Sequence, residues 1–214
     1  PVFSQKTFDE MIDYANAHDM SVAVHAIGDA CLDQVLSAIE KALIKNPKKD
    51  HRHGIVHCQI TRPEQLKKIC DLNLHIYAQS IFLDYDINMV YDRVGEELAA
   101  SSYSWKSLMK EGISVSNGSD CPVELPNVLS GMQCAVTRKT LKGKGPYLME
   151  EAFTVKEAID SFTVRGAEAS FEEDKKGKIA KGYLADFVIL DHNLFDIPLD
   201  EISKVKVIST HLGR

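Results

Sequence analysis

Residues 20–46, MSVAVHAIGDACLDQVLSAIEKALIKN, decide how the chain is read. The run from Met20 to Ala26 has the length and branched apolar content of a buried strand. After a Gly-Asp pair, Leu32, Val35, Leu36, Ile39 and Leu43 recur at helical spacing. Asp29 stands where a side-chain cap for that helix is expected, and Pro47 with the charged turn KNPKKDHRH closes it. A strand leading straight into an amphipathic helix is the repeating unit of parallel β/α folds.

The same unit recurs on both sides. Upstream, Ser4 is placed to cap a helix through FDEMIDYANAHD; downstream, GIVHCQ is a short strand and RPEQLKKICDLN a helix with Pro63 near its start. LHIYAQ follows as a strand, then an irregular polar segment, the helix YSWKSLMKEG and the strand ISVSNGSD. Four apolar strands, near residues 20–26, 54–58, 74–79 and 113–118, alternate with helices and predict a parallel sheet covered on both faces. PNVLSGMQCAVTRK and TVKEAIDSFTVRGAEAS read as further helices. KKGKIAKGYLADFVILD, with its glycine-lysine turns and one dense strand, reads as a small β appendage.

Composition narrows the function classes. The 214 residues are 44% hydrophobic and 26% charged, enough apolar material for one large domain with an appendage. A net charge of −6, with lysines dispersed among acids, argues against nucleic acid or a basic membrane patch as partner. The five cysteines (Cys31, Cys58, Cys70, Cys121, Cys134) are odd in number, widely spaced and without a C-x-x-C pair, so reduced thiols in a cytoplasmic protein are expected rather than a disulfide framework. No stretch approaches the ~18 apolar residues of a membrane span, and the opening Pro1-Val2-Phe3 is not a basic-then-apolar leader.

Functional side chains in parallel β/α folds collect at the carboxyl ends of strands. Three polar residues end the apolar runs: His25 ends SVAVHA, His57 ends GIVHCQ, and Asp120 follows ISVSNGS. Imidazole and carboxylate are ligands suited to zinc, iron or manganese, and hydrolytic sites use such clusters to acidify a bound water. Each alone has an ordinary structural explanation, a core histidine or a turn cap; at the same end of three strands they read as a metal centre. His51-Arg52-His53 has a chelating spacing but precedes its strand, at the opposite end, and reads as a strand-entry feature. Cys58 alternates with His57 and is expected to face away from it. His18, His75, His192 and His211 read as structural or solvated.

HAIGDAC, HRHGIVHCQ, WKSLMKEGISVSNGSDCPVE and GKIAKGYLADFVILD, in this order and spacing, resemble the carboxyl-terminal part of the amidohydrolase superfamily, in the branch that includes N-substituted formamide deformylase. The resemblance implies the carboxyl-terminal half of a (β/α)8 TIM-type barrel, strands 5–8, over residues 1–176, and a small β-sandwich segment over residues 177–214. It implies His25 as the strand 5 metal ligand, His57 as the strand 6 ligand, and Asp120 as the strand 8 ligand and acid/base, with a divalent metal, zinc first and iron or manganese next. Gly28, Asp29, Gln79 and Ser80 would line the mouth for a small-molecule substrate with an amide or related C–N bond. Asp29 has the equal alternative of a helix cap. Two departures stand out: Gly54-Ile55-Val56-His57 replaces the frequent Arg-Ile-Glu-His, and Ala30 stands where an arginine is common.

The strand 1 H-x-H and strand 4 lysine of that family have no counterpart in the chain. The expected partner is therefore a missing amino-terminal half or a second copy in a homo-oligomer, because strand edges near residues 20–26 and 113–118 would otherwise be open. The competing reading is a non-catalytic, self-associating fragment with a vestigial metal site. A phosphate-binding loop is disfavoured, since the glycines near Lys142 to Gly145 follow no strand.

Overall fold

Ser4 Oγ accepts the Thr7 N–H at 3.2 Å and so starts α1 (Gln5–Ala17) where the sequence places it. The structure, a computed structural model, describes residues 2–213. It is α/β, with a four-stranded sheet in the order β1 (Ala23–Ala26), β2 (Gly54–His57), β3 (His75–Ala78), β4 (Val115–Asn117). β1 pairs with β2 and β2 with β3 in parallel. Each strand lies inside its predicted window, and the crossovers are α2 (Asp29–Lys45) and α3 (Pro63–Asp71).

The chain divides into two compact units, one made of the residues up to Ala78 with Val94–Val115, the other of Gln79–Arg93 with the residues from Ser116 onward. In the first, Leu32, Val35, Leu36 and Ile39 of α2 are buried, as are Ile55 and Ile76 of the sheet. Each such side chain contributes about 1.5–3 kcal/mol. Asp29 does not cap α2 as expected. It is the helix's first residue, and Gly28 holds the cap position without a side-chain bond. The Asp29 carboxylate is drawn instead to Arg62.

The H-x-H pair is consumed by structure. His51 Nδ1 accepts the His53 N–H at 2.9 Å, and its Nε2 lies 3.0 Å from the Leu72 carbonyl. His53 Nδ1 accepts the Val22 N–H at 3.2 Å, which leaves Nε2–H to donate to Asn16 Oδ1 at 3.1 Å. Asn16 is fully buried and donates on to the carbonyls of Ala42 and Asn46, at 3.0 and 2.9 Å. One polar chain thus ties α1, the end of α2 and the entry to β2 together.

Gly54 opens β2 where the backbone admits no side chain: a Cβ there would lie 2.7 Å from the His75 carbonyl oxygen and 2.6 Å from Tyr77 Cε2. The segment read as irregular between β3 and the next helix is largely helical. It forms a 3-10 turn (Ser80–Phe82), α4 (Leu83–Asp86) and α5 (Val90–Ala99), the last broken at Gly95 with φ 78°. Leu83, Ile87 and Val90 are buried, so packing outweighs the acidic, glycine-broken local sequence. α6 (Trp105–Lys110) follows.

In the second unit, α7 (Val128–Thr137) is buried along Leu129–Thr137 and packs against α8 (Val155–Phe162) and the 3-10 helix Leu199–Lys204. Ser203 N–H donates to Gln133 Oε1 at 2.9 Å. The predicted long helix after Thr154 is divided at Thr163 into α8 and α9 (Val164–Ala169). β5 (Phe187–Leu190) and β6 (Val207–His211) form a two-stranded antiparallel sheet. Among the described residues no helix is long and apolar enough to cross a membrane.

Candidate metal centre

His25 and His57 stand at the carboxyl ends of neighbouring parallel strands, their rings 4.4 Å apart and edge-on at 77°. His57 is 1% exposed, whereas His25 on the outer strand is exposed. Regular pleating would not bring them together. The register pairs His25 with Val56, so those two share a face and His57 takes the other. The exception arises from the backbone, because His57 has φ 78° and Cys58 φ 49°, consecutive left-handed residues without glycine. Each costs on the order of 1–2 kcal/mol and departs from the pleat. Alternation therefore does not govern Cys58 either. It is buried, and burial pushes its thiol up to about 12, so it offers no thiolate to a metal.

Beyond the strand ends, Cys58 N–H donates to the Ala26 carbonyl at 3.2 Å and Ile60 N–H to that of Ile27 at 2.9 Å, joining the two strand-end loops. Arg62 clasps them from outside. Its guanidinium binds Asp29 through Nη1, Asp33 through Nη2 at 2.7 Å, and Glu64 through Nε at 2.6 Å. Gln65 Nε2 adds bonds to the Asp29 carbonyl at 2.8 Å and to Asp33 at 2.6 Å. Burial works to raise the Asp33 carboxyl, but the hydrogen bonds from Arg62 and Gln65 outweigh it and hold it below the usual range. Arg62 was not singled out from the sequence. Its signal was faint: one cation, just after a strand, facing the acids of DACLD.

Gly28 keeps open space where a side chain would project. In the second unit, Gln79 is buried at the start of the 3-10 turn, and Asn117 accepts the Ser80 N–H at 2.9 Å while donating to Ser80 Oγ at 2.6 Å. Asp120 is exposed, with φ 54°, and its carbonyl accepts the Val123 N–H at 2.8 Å. Among the described residues, no group of three or more His, Cys, Asp or Glu side chains is arranged to hold a metal. The two imidazoles are thus a donor pair, fewer than the three protein ligands of a hydrolytic site.

Residues 1–213 match the sequence model of the amidohydrolase family. The chain belongs to that family. It is 35% identical over 212 residues to YtcJ of Bacillus subtilis (strain 168), covering 98% of this chain and 39% of that protein. It is 26% identical to N-substituted formamide deformylase of Arthrobacter pascens, with 98% and 39% covered. A metal-dependent hydrolase from Pyrococcus furiosus superposes with a TM-score of 0.72 at 30% identity, over 85% of this chain and 36% of that one. This amidohydrolase chain spans under two fifths of these relatives' length. Its likeness to a metal-dependent hydrolase supports a divalent metal as the family's cofactor.

Proposed function

We propose that the chain is the carboxyl-terminal portion of a metal-dependent hydrolase that cleaves an amide or related C–N bond in a small molecule. The observation that carries this reading is the His25–His57 imidazole pair, held at one end of two parallel strands by a strained backbone. In this reading residues 1–176 are strands 5–8 of a barrel with their helices, and residues 177–214 belong to a β-sandwich. The resemblance to a deformylase of N-substituted formamides supports the C–N bond. The expected amino-terminal half of the barrel would supply the remaining ligands, which agrees with the absence, among the described residues, of a group of three or more His, Cys, Asp or Glu arranged to hold a metal.

The chemistry of the donors fits a divalent ion, zinc before iron or manganese, which when bound supplies an acidified water. His25, His57 and Asp120 would hold it, and Asp120 would take a proton from water and return it to the leaving nitrogen. Gly28, Asp29 and Gln79 line the entrance, where Arg62 holds Asp29 in place.

The test is elemental analysis of the complete protein together with hydrolysis of a panel of N-acyl and N-formyl amides. At least one equivalent of metal is expected, with metal content lowered in His57→Ala and turnover reduced by about 100-fold or more in Asp120→Asn. Wild-type turnover in Asp120→Asn would remove Asp120 from the reaction. A metal-free protein with no amidase activity would sink the hydrolase reading and favour a self-associating fragment.

A further inference from the structure

His57 faces His25 where the backbone leaves the pleat at residues 57 and 58, so the contacts that hold this turn bear on the pair. They are held from one side by residues 101–105. Trp105 Nε1 donates to both the His57 and Cys58 carbonyls, at 3.0 and 3.1 Å. Tyr103 N–H donates to the Gln59 carbonyl at 2.6 Å, and Gln59 Nε2 returns a bond to the Tyr103 hydroxyl at 3.3 Å. Thr61 and Ser101 then exchange hydroxyl-to-carbonyl bonds. The two segments are zipped antiparallel, every second residue, with Trp105 on the strained pair.

The indole is 1% exposed and its ring packs edge-on against Tyr103 at 5.5 Å. A consecutive left-handed pair without glycine persists where surrounding contacts over-determine it. The indole N–H is a side-chain donor shared by both carbonyls of that pair.

We infer that Trp105 is a positioning residue for the His25–His57 pair: its N–H holds the two left-handed carbonyls and keeps the His57 ring turned onto the His25 side. What the pair binds rests on the hydrolase reading; how the pair is held does not.

The experiment uses the complete protein, histidine-labelled for NMR, in metal-free buffer and then titrated with Zn2+ in a calorimeter. Trp105→Phe removes the N–H and keeps an aromatic ring. Trp105→Phe with Cys58→Gly supplies a residue that adopts positive φ without penalty. Site-specific replacement of Trp105 by β-(3-benzothienyl)alanine keeps the bicyclic shape without the N–H.

The wild type is expected to show a cross-peak between the His25 and His57 rings. Trp105→Phe and the benzothienyl chain, with unchanged far-UV circular dichroism, should lose most of it and bind Zn2+ at least about tenfold more weakly. Cys58→Gly should restore both to near wild type, a rescue that simple loss of packing would not produce. An unchanged cross-peak in the benzothienyl chain, or no rescue by Cys58→Gly, overturns the inference even if Trp105→Phe fails to fold. The two readings fail separately. Absence of Zn2+ binding in every chain, with the cross-peaks behaving as expected, defeats the metal reading and leaves Trp105 its role.

Discussion

Acidification should destabilise the first unit well above the range where carboxylates titrate, and His53 sets the size of the effect. Its ring is 1% exposed, and burial, aided by His51 and Lys48, brings its pKa down from 6.5 to about 4. The neutral ring is also fixed by geometry: Nδ1 accepts from Val22, so a second proton would set N–H against N–H. The unfolded chain therefore binds more protons than the folded one between pH 6.5 and 4, and stability falls as pH falls through that window. At 1.36 kcal/mol per pH unit the full loss is about 3 kcal/mol, and about 2 kcal/mol is already lost at pH 5. His51, lowered by burial, acts in the same direction. The depressed carboxylates withdraw their stability as pH falls through and below their ordinary values, 3.8 for Asp33 and 4.5 for Glu64 and Glu172, so they add little above pH 5. Urea titrations at pH 7.5, 6 and 5 measure the slope, and His53→Gln should flatten it. A wild-type loss under about 0.5 kcal/mol by pH 5, or an equal slope in His53→Gln, would refute the reasoning.

Gly54→Ala places a methyl 2.7 Å from the His75 carbonyl oxygen, which cannot yield as a side chain would, and overpacking of this kind costs about 1–3 kcal/mol. For a chain of this size that lowers Tm by about 2–12 °C in a calorimetric scan, and an unchanged Tm would mean the strands have room to part. Gly118→Ala, with nothing within 4 Å, is the control and should leave Tm nearly unmoved. Gly166→Ala in α9, also in open space, should raise stability by about 0.5–1 kcal/mol through helix propensity, read from the urea midpoint. Arg62→Ala takes the guanidinium from Asp29, Asp33 and Glu64 together, leaving Asp33 only its Gln65 bond among those described, so amide exchange should quicken in residues 27–33 and 59–64 while α1 keeps its protection.

Much of the fold was legible because burial leaves periodic traces. All four strands of the sheet, the cap at Ser4, the helix start at Pro63, and the buried face of α2 follow from spacing and side-chain type alone. The helices between Leu83 and Ala99 were not legible, since their apolar positions are sparse and Gly95 breaks the period. The departure at residue 54 also gains a reason. Relative to the Arg-Ile-Glu-His expected from the resemblance, the Tyr77 ring and the His75 carbonyl occupy the space a side chain at residue 54 would need.

By itself the sequence determined that His25 and His57 end adjacent β/α strands and that His51 and His53 precede one, because chain polarity fixes which end of a parallel strand a residue occupies. It could not determine that the two imidazoles meet. Period-two alternation separates them, and only a left-handed turn, held by an indole 47 and 48 residues along the chain and by the Ala26 carbonyl across the sheet, brings them to 4.4 Å. Backbone dihedrals of that kind are disfavoured locally and exist because distant contacts outweigh the local cost, so the tertiary structure alone decides them.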